Sequence, residues 1–96
     1  MKYQTSDSTF KVNPEATASF HDDGMVILHT GRGRLFSANK IGARIWRGLE
    51  QQVPLETIVS EISGEYHLTL TTAREHTDHF LAQLQNHKLI SGEGRS

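Results

Sequence analysis

The sequence predicts an α+β domain in which a three-stranded antiparallel sheet is followed by three helices, in a winged-helix-like arrangement. Three observations support this class. The chain has 96 residues and a mass of 10.8 kDa, which suits one small domain. Strand-like segments separated by glycine-containing turns come first, and segments with helical spacing of apolar residues come afterwards. Strands followed by helices along a chain are typical of α+β folds.

The three predicted strands are joined by short turns and therefore form a meander. Alternation over residues 16–20 predicts the first strand, and β-branched and apolar content over residues 25–30 predicts the second. Asp22-Asp23-Gly24 supplies the turn between them, because Asp and Gly tolerate positive φ. Gly31-Arg32-Gly33 supplies the next turn, and residues 34–37 form the third strand. The first and third strands are then the open edges of the sheet.

Three helices are predicted from their first residues and from one apolar face each. Asn39 is the expected N-cap of the first helix, Pro54 opens the second, and Thr69 caps the third. Gly64 is expected to end the second helix. The expected buried positions are Ile41, Ile45, Trp46 and Leu49, then Leu55, Ile58, Val59 and Ile62, then Ala73, Thr77, Phe80, Leu81 and Leu84. Residues 89–90 form a short apolar end that can return to the core.

The chain ends and the composition limit the possible classes of protein. Residues 1–10 lack periodicity and are expected to form a flexible arm, residues 91–96 a flexible tail, and residues 11–90 the folded domain. There is no cysteine, which excludes disulfides, thiolate metal sites and a cysteine nucleophile. No apolar run reaches the roughly 18 residues of a membrane span, and no signal peptide opens the chain. A cytoplasmic protein without a membrane partner is therefore expected.

No catalytic or metal-binding pattern is recognisable. His76 and His79 are neighbours on the third helix and His87 lies eight positions further on, but a convincing third ligand is missing. The chain has no G-x-S-x-G elbow, and the glycines at 31 and 33 lead into a strand, so they fit a turn better than a phosphate loop. The sequence predicts no enzyme, no metal and no cofactor.

Charge is segregated along a chain whose formal net charge is only −1. The segment 31–49 carries five basic residues and no acidic one: Arg32, Arg34, Lys40, Arg44 and Arg47. The segment 50–87 carries six acidic residues, and Arg74 is its only Lys or Arg. A basic third strand with an open edge suits an extended acidic peptide that pairs with it as an added strand. Ordinary solvated side chains would give the same pattern, and nucleic-acid binding by the basic first helix is a further alternative.

The segment LFSANKIGARIW, residues 35–46, resembles a signature of the PqqD family. In that signature an aromatic strand residue is followed by Asn, two variable residues, Gly-Ala, one variable residue and Ile-Trp. Similar segments follow in order at 55–59, 65–66, 80–84 and 89–90, so the resemblance covers about residues 16–90. It implies a three-stranded sheet packed on three helices that performs no chemistry. Such a domain binds the leader segment of a ribosomal precursor peptide as a strand between the third strand and the third helix.

The resemblance, together with position along the elements, gives the candidate peptide-binding residues. They are Arg34, Leu35, Phe36 and Ser37 on the third strand, and Thr72, His76, His79 and Gln83 on one flank of the third helix. The other flank, with Arg74, Asp78 and Gln85, is the less favoured alternative. Two positions depart from the family pattern, since His76 stands where Asp is frequent and Lys88 where Gly usually precedes Leu-Ile. If His76 lines the cleft, leader binding is expected to change with pH near the histidine pKa.

The resemblance leaves two pathways open. In lasso-peptide maturation a stand-alone recognition protein works with a separate leader peptidase, and residues 31–46 look more like this type. In pyrroloquinoline-quinone maturation the client is instead a radical SAM enzyme. The expected partners are therefore a precursor leader and a leader peptidase or other modifying enzyme. A small nucleic-acid-binding regulator is the further alternative, and the open edge also allows a dimer.

Overall fold

The structure is a computed structural model that describes residues 10–92. In chain order its elements are β1 (Phe10–Val12), β2 (Ala16–His21), β3 (Gly24–His29), β4 (Arg34–Asn39), α1 (Lys40–Glu50), α2 (Leu55–Tyr66), α3 (Leu70–Asn86) and β5 (Ile90–Gly92). The strands β2, β3 and β4 correspond to the three predicted strands. The predicted class, a three-stranded antiparallel sheet followed by three helices, is confirmed.

The main sheet has the order β2-β3-β4, so β2 and β4 are its two edges. The register pairs His21 with Gly24 across the Asp22-Asp23 turn, and Gly24 in turn with Asn39. Gly24 has φ of +155°, and a Cβ there would lie 2.1 Å from the carbonyl oxygen of Ala38. Glycine is therefore required where β3 begins beside the end of β4.

The two faces of this sheet differ in burial. Met25, Ile27 and His29 of β3 point towards the helices and are buried, whereas Leu28 points away and is 39% exposed. On β4, the side chain of Phe36 shares the inner face and Leu35 the outer face. The alternation expected of a half-buried antiparallel sheet is therefore present.

The core lies between the inner face of the sheet and the three helices. Trp46, Ile58 and Ile62 have no exposed surface, and Thr77 is equally buried, with its hydroxyl donating to the carbonyl of Ala73. Every predicted core position in the helices is buried except those at 41 and 55, which are half-buried and pack against the core. Residues 89–90 return to the core as predicted.

Two of the predicted helix ends are confirmed by the structure, and a third is wrong. The Asn39 side chain accepts a hydrogen bond from the Gly42 N–H at 2.9 Å, so the predicted cap of α1 is confirmed. Thr69 accepts from the Thr72 N–H at 3.1 Å, which confirms the cap of α3. The prediction that Gly64 ends α2 is wrong, since the helix continues to Tyr66.

The end of α2 is formed by a different residue. His67 adopts the left-handed conformation at φ +57°, and the Leu68 N–H donates to the carbonyl of Ser63. This is the hydrogen bond that closes many helix C-termini. Gly64 lies within the helix, where glycine costs only about 1 kcal/mol relative to alanine.

A second sheet, of two strands, was not predicted. β1 pairs antiparallel with β5, with Val12 opposite Ile90 and Phe10 opposite Gly92. The Asn13 side chain adds a hydrogen bond to the carbonyl of Lys88 at 2.8 Å. Strand structure therefore extends past the predicted 11–90 boundaries to residue 10 at one end and to residues 91–92 at the other. The remainder of the predicted arm and tail, residues 1–9 and 93–96, lies outside the described residues.

Candidate functional site

A cleft of about 230 Å³ separates β4 from α3, and α1 forms its floor. Its lining residues are Ser37, Ala38 and Asn39 of β4, Ile41, Gly42 and Ile45 of α1, and His76, His79, Phe80 and Gln83 of α3. The strand on one side is a sheet edge, because β4 pairs only with β3. An extended chain in this cleft would therefore meet backbone hydrogen-bonding groups on one side and helix side chains on the other.

The floor of the cleft depends on a close approach at Gly42. A Cβ at this position would lie 2.8 Å from the Cβ of Ala38 and 3.0 Å from the ring of Phe80. Because β4 passes into α1 without a loop, the Asn39 cap fixes the direction in which the helix leaves the strand. The glycine then lets α1 contact both walls of the cleft.

The flank of α3 beside the cleft carries His76, His79 and Gln83, and all three side chains are exposed. The opposite flank faces α2, where the guanidinium of Arg74 donates to Glu56. This hydrogen bond raises the pKa of Arg74 above its ordinary value. The structure therefore places the favoured flank of α3, and not the Arg74 flank, next to β4.

The eight candidate residues are not all brought together. Ser37, His76, His79 and Gln83 line the cleft. Phe36 lies beside it on the inner face of β4, with its ring centroid 5.0 Å from that of His87.

The other three candidates lie outside the lining. Arg34 and Leu35 are exposed at the start of β4, and Leu35 points to the outer face of the sheet. Thr72 is half-buried near the start of α3, and its N–H and hydroxyl are hydrogen-bonded to the Thr69 side chain.

Sequence reasoning missed the residues that α1 and the end of β4 contribute. The sequence alone indicates a cap, core positions and part of a family signature at these places, yet the cleft is lined by Asn39, Ile41, Gly42 and Ile45. The available signal was the continuity of that signature, which runs from the strand directly into the helix. His87 was also missed, because its contact with Phe36 depends on where α3 ends.

The charges around the cleft are unevenly distributed. No carboxylate lines it within the described part of the chain, and His76 and His79 are its only titratable side chains. Arg44 of α1 points elsewhere, towards Glu61 and Glu65 of α2. Burial lowers the pKa of Arg44, but the hydrogen bonds and charges of these two carboxylates outweigh it, so the pKa is raised. Arg44 is thus engaged within the fold.

The described residues offer neither a metal cluster nor a membrane-spanning helix. In residues 10–92, no three His, Asp, Glu or Cys side chains are grouped as they would be around a metal ion. The helices in the same part of the chain are too short or too polar to cross a bilayer. The cleft between β4 and α3 therefore remains the leading candidate site.

Residues 24–90 match the profile of the family described as coenzyme PQQ synthesis protein D, PqqD. The chain belongs to the PqqD family. The matched region contains the signature at 35–46 and every residue that lines the cleft. A comparison with curated proteins gave no match.

Two solved structures have a similar fold. One is TbiB1 in complex with the TbiA(β) leader peptide, with a TM-score of 0.78 and 32% identity over 90% of this chain and 98% of that chain. The other is a lasso peptide synthetase B1 complexed with the leader peptide, with a TM-score of 0.77 over 85% of this chain and 96% of that one. Its identity is 22%, so it supports the fold alone.

The two departures from the PqqD pattern fall at different kinds of position. His76 lines the cleft, so it changes the surface that a ligand would meet. Lys88 lies in the turn between α3 and β5 at φ +61°, where glycine is favoured. This lysine therefore preserves the backbone path of the turn at some cost in stability.

Proposed function

We propose that this PqqD-family protein is a non-catalytic module that captures the leader segment of a ribosomally made precursor peptide. The leader would add as a strand between β4 and α3, and the module would present it to a processing enzyme. The observation that carries this proposal is the open edge of β4 beside a cleft that α3 walls. Precursor peptides are made by cytoplasmic ribosomes, so the proposed place of action is the cytoplasm.

Backbone hydrogen bonds between β4 and the leader would fix most of the leader's register. In an antiparallel ladder, alternate residues direct both their N–H and their C=O to the same neighbour. The six-residue β4 thus leaves roughly half of its residues with backbone groups facing the edge. A leader strand would satisfy these groups, while its side chains would alternate between the cleft and the outer face of the sheet.

Charge favours an acidic leader. Arg32 and Arg34 flank the start of β4, and neither forms an ion pair within residues 10–92. Arginines at the rim of a binding site increase the rate of association and the selectivity more than the affinity. The lack of carboxylates in the cleft lining removes a source of repulsion.

The processing enzyme that we favour is a lasso-peptide leader peptidase. Residues 31–46, which look more like the stand-alone lasso type, support this choice, and the 32% identity with TbiB1, solved with the TbiA(β) leader peptide, supports leader binding. The alternative client is a radical SAM enzyme of pyrroloquinoline-quinone biosynthesis, which the description of the family profile favours. Binding of the two precursor leaders to the same protein would distinguish these clients.

The ion pairs on α1 and α3 argue against the alternative function, nucleic-acid binding. Of the three basic residues on α1, Arg44 is engaged by two carboxylates of α2. On α3, Arg74 pairs with Glu56 and lies near Asp78. Neither helix therefore presents the uninterrupted basic face that a phosphate backbone requires.

The test is a fluorescence-anisotropy titration with a labelled leader from the precursor encoded beside this gene. A labelled DNA duplex of matched charge serves as the control ligand. We expect saturable leader binding that persists at moderate salt, with no duplex binding. His79→Glu, in the cleft, should weaken binding of an acidic leader about tenfold, whereas Thr71→Glu on the other flank of α3 should leave it unchanged. Equal affinity of both variants for the leader would contradict the proposed site.

A further inference from the structure

A second concave surface lies on the side of α1 opposite the cleft between β4 and α3, which is called the leader cleft from here on. It also measures about 230 Å³, and its lining includes Phe20 and His21 of β2, Lys40, Arg44 and Arg47 of α1, and Tyr66 of α2. The leader cleft uses a separate set of α1 residues, at 41, 42 and 45. Because α1 stands between the two surfaces, both can be occupied at the same time.

The surface combines cations with exposed aromatic area. The guanidinium carbon of Arg47 lies 4.2 Å from the centroid of the Phe20 ring, and 36% of Phe20 is exposed. A guanidinium at this distance from an aromatic face makes a favourable cation–π contact, which holds the Arg47 side chain at the surface. Exposed aromatic and arginine side chains are enriched among the residues that dominate binding energy at interfaces.

One of the three cations on this surface forms ion pairs within the protein, and the other two form none with the described residues. Arg44 donates to Glu61 and Glu65, so it serves the packing of α1 on α2. Lys40 and Arg47 form no ion pair within the described residues. Two positive charges therefore remain for a ligand beside the Phe20 ring.

We propose that this surface, formed around Phe20, Lys40 and Arg47, docks an acidic segment of the processing enzyme while the leader occupies the opposite side of α1. The proposal rests on the leader-binding function argued above. The segment would place carboxylates against Lys40 and Arg47 and an aromatic or aliphatic side chain against Phe20. Complementary charge would speed encounter, and burial of the ring would supply affinity.

The surrounding charges argue for a short acidic segment rather than a polyanion. Glu61 and Glu65 border the surface beside Arg44, and the exposed Asp22-Asp23 turn follows β2 at the same end of the sheet. A phosphate backbone running across this region would meet these carboxylates. A peptide segment with a few carboxylates can instead contact the two available cations alone.

The experiment uses the full chain, the labelled leader and the processing enzyme encoded beside the precursor. Leader affinity is measured by anisotropy, and the affinity of the leader-loaded protein for the enzyme by calorimetry. We expect Arg47→Glu and Lys40→Glu each to weaken enzyme binding at least tenfold and to leave leader affinity within twofold. Both side chains are exposed, so the variants should remain folded, which circular dichroism checks.

Lys11→Glu is the matched control, since it makes the same charge change at an exposed residue of β1 that lines neither the leader cleft nor this surface. It should alter enzyme binding less than twofold. Enzyme binding that is absent in the wild type, or that is equal in the wild type and both α1 variants, would overturn the docking proposal. So would duplex DNA binding that both variants abolish, which would assign the surface to nucleic acid. A wild-type chain that fails to bind the leader would instead overturn the proposed function.

Discussion

The rings of Phe36 and Phe80 lie with their centroids 6.0 Å apart and their planes tilted by 46°, which joins β4 to α3 beside the cleft. Tilted aromatic pairs at this distance are favourable beyond the area that they bury. The Phe36 ring also contacts His87 at the end of α3, so one strand residue contacts the helix at two points. The width of the cleft is therefore set by packing between these elements, and changes in that packing should alter both stability and leader binding.

Gly42→Ala tests this dependence. The added methyl group would overlap Ala38 and the Phe80 ring, and overpacking of this kind costs about 1–3 kcal/mol. We expect a lower urea midpoint and weaker leader binding. Gly64→Ala is the matched control, because it lies in a helix with no atom within 4 Å of the added Cβ. It should stabilise the protein by about 0.5–1 kcal/mol and leave leader binding unchanged. A stabilising effect of Gly42→Ala would refute the close approach of the three elements.

Lys88→Gly should stabilise the protein by about 1 kcal/mol. Lys88 has φ of +61°, and a left-handed conformation costs a residue with a side chain about 1–2 kcal/mol, part of which is offset by the greater freedom of glycine in the unfolded chain. The measurement is the free energy of unfolding in urea. Lys88→Ala removes the same charge but keeps the Cβ, so it should give no gain. If both variants stabilise equally, the charge and not the backbone conformation is responsible.

The helices could be predicted from the sequence because each carries its own local signals. The caps at Asn39 and Thr69 and the apolar faces all lie within one or two helical turns of the residues that they organise. The β1–β5 pair could not be predicted, since two strands of three residues from opposite ends carry no measurable periodicity. The end of α2 was misplaced because His67, and not Gly64, takes the left-handed conformation.

The candidate site could be predicted only in part for a related reason. Both flanks of α3 border its buried stripe, so the sequence alone cannot tell which flank the packing turns towards β4. Thr72 lies on the same flank as His76, but it is near the helix start, where its hydroxyl and N–H bond to Thr69. The α1 floor requires knowledge that β4 continues directly into the helix.

Leu35 provides a test of the proposed added strand. It is 68% exposed, which is unusual at a sheet edge, and it lies directly opposite Leu28 on the outer face. A leader strand paired with β4 would place a side chain beside Leu35 on this outer face. Leu35→Thr should therefore weaken leader binding about two- to fivefold, as expected for the loss of one cross-strand apolar pair. Leu70→Thr is the control, because Leu70 is 62% exposed on α3 and lines no part of the cleft. Equal effects of the two substitutions would argue against pairing at the β4 edge.

The histidines of the cleft predict that leader binding depends on pH. His76 and His79 line the cleft, and no carboxylate is among the lining residues. Because a protonated imidazole attracts carboxylates, we expect a leader that carries carboxylates to bind more tightly at pH 5.5 than at pH 8.

The measurement is the anisotropy titration repeated at the two pH values, with wild type and the double variant His76→Gln, His79→Gln. The variant keeps polar side chains in the cleft but has no imidazole there, so its affinity should be nearly the same at both pH values. His21→Gln controls for a histidine remote from the cleft and should behave as wild type. Equal wild-type affinity at pH 5.5 and 8 would remove the role of these histidines. A pH dependence that survives in the double variant would also count against them.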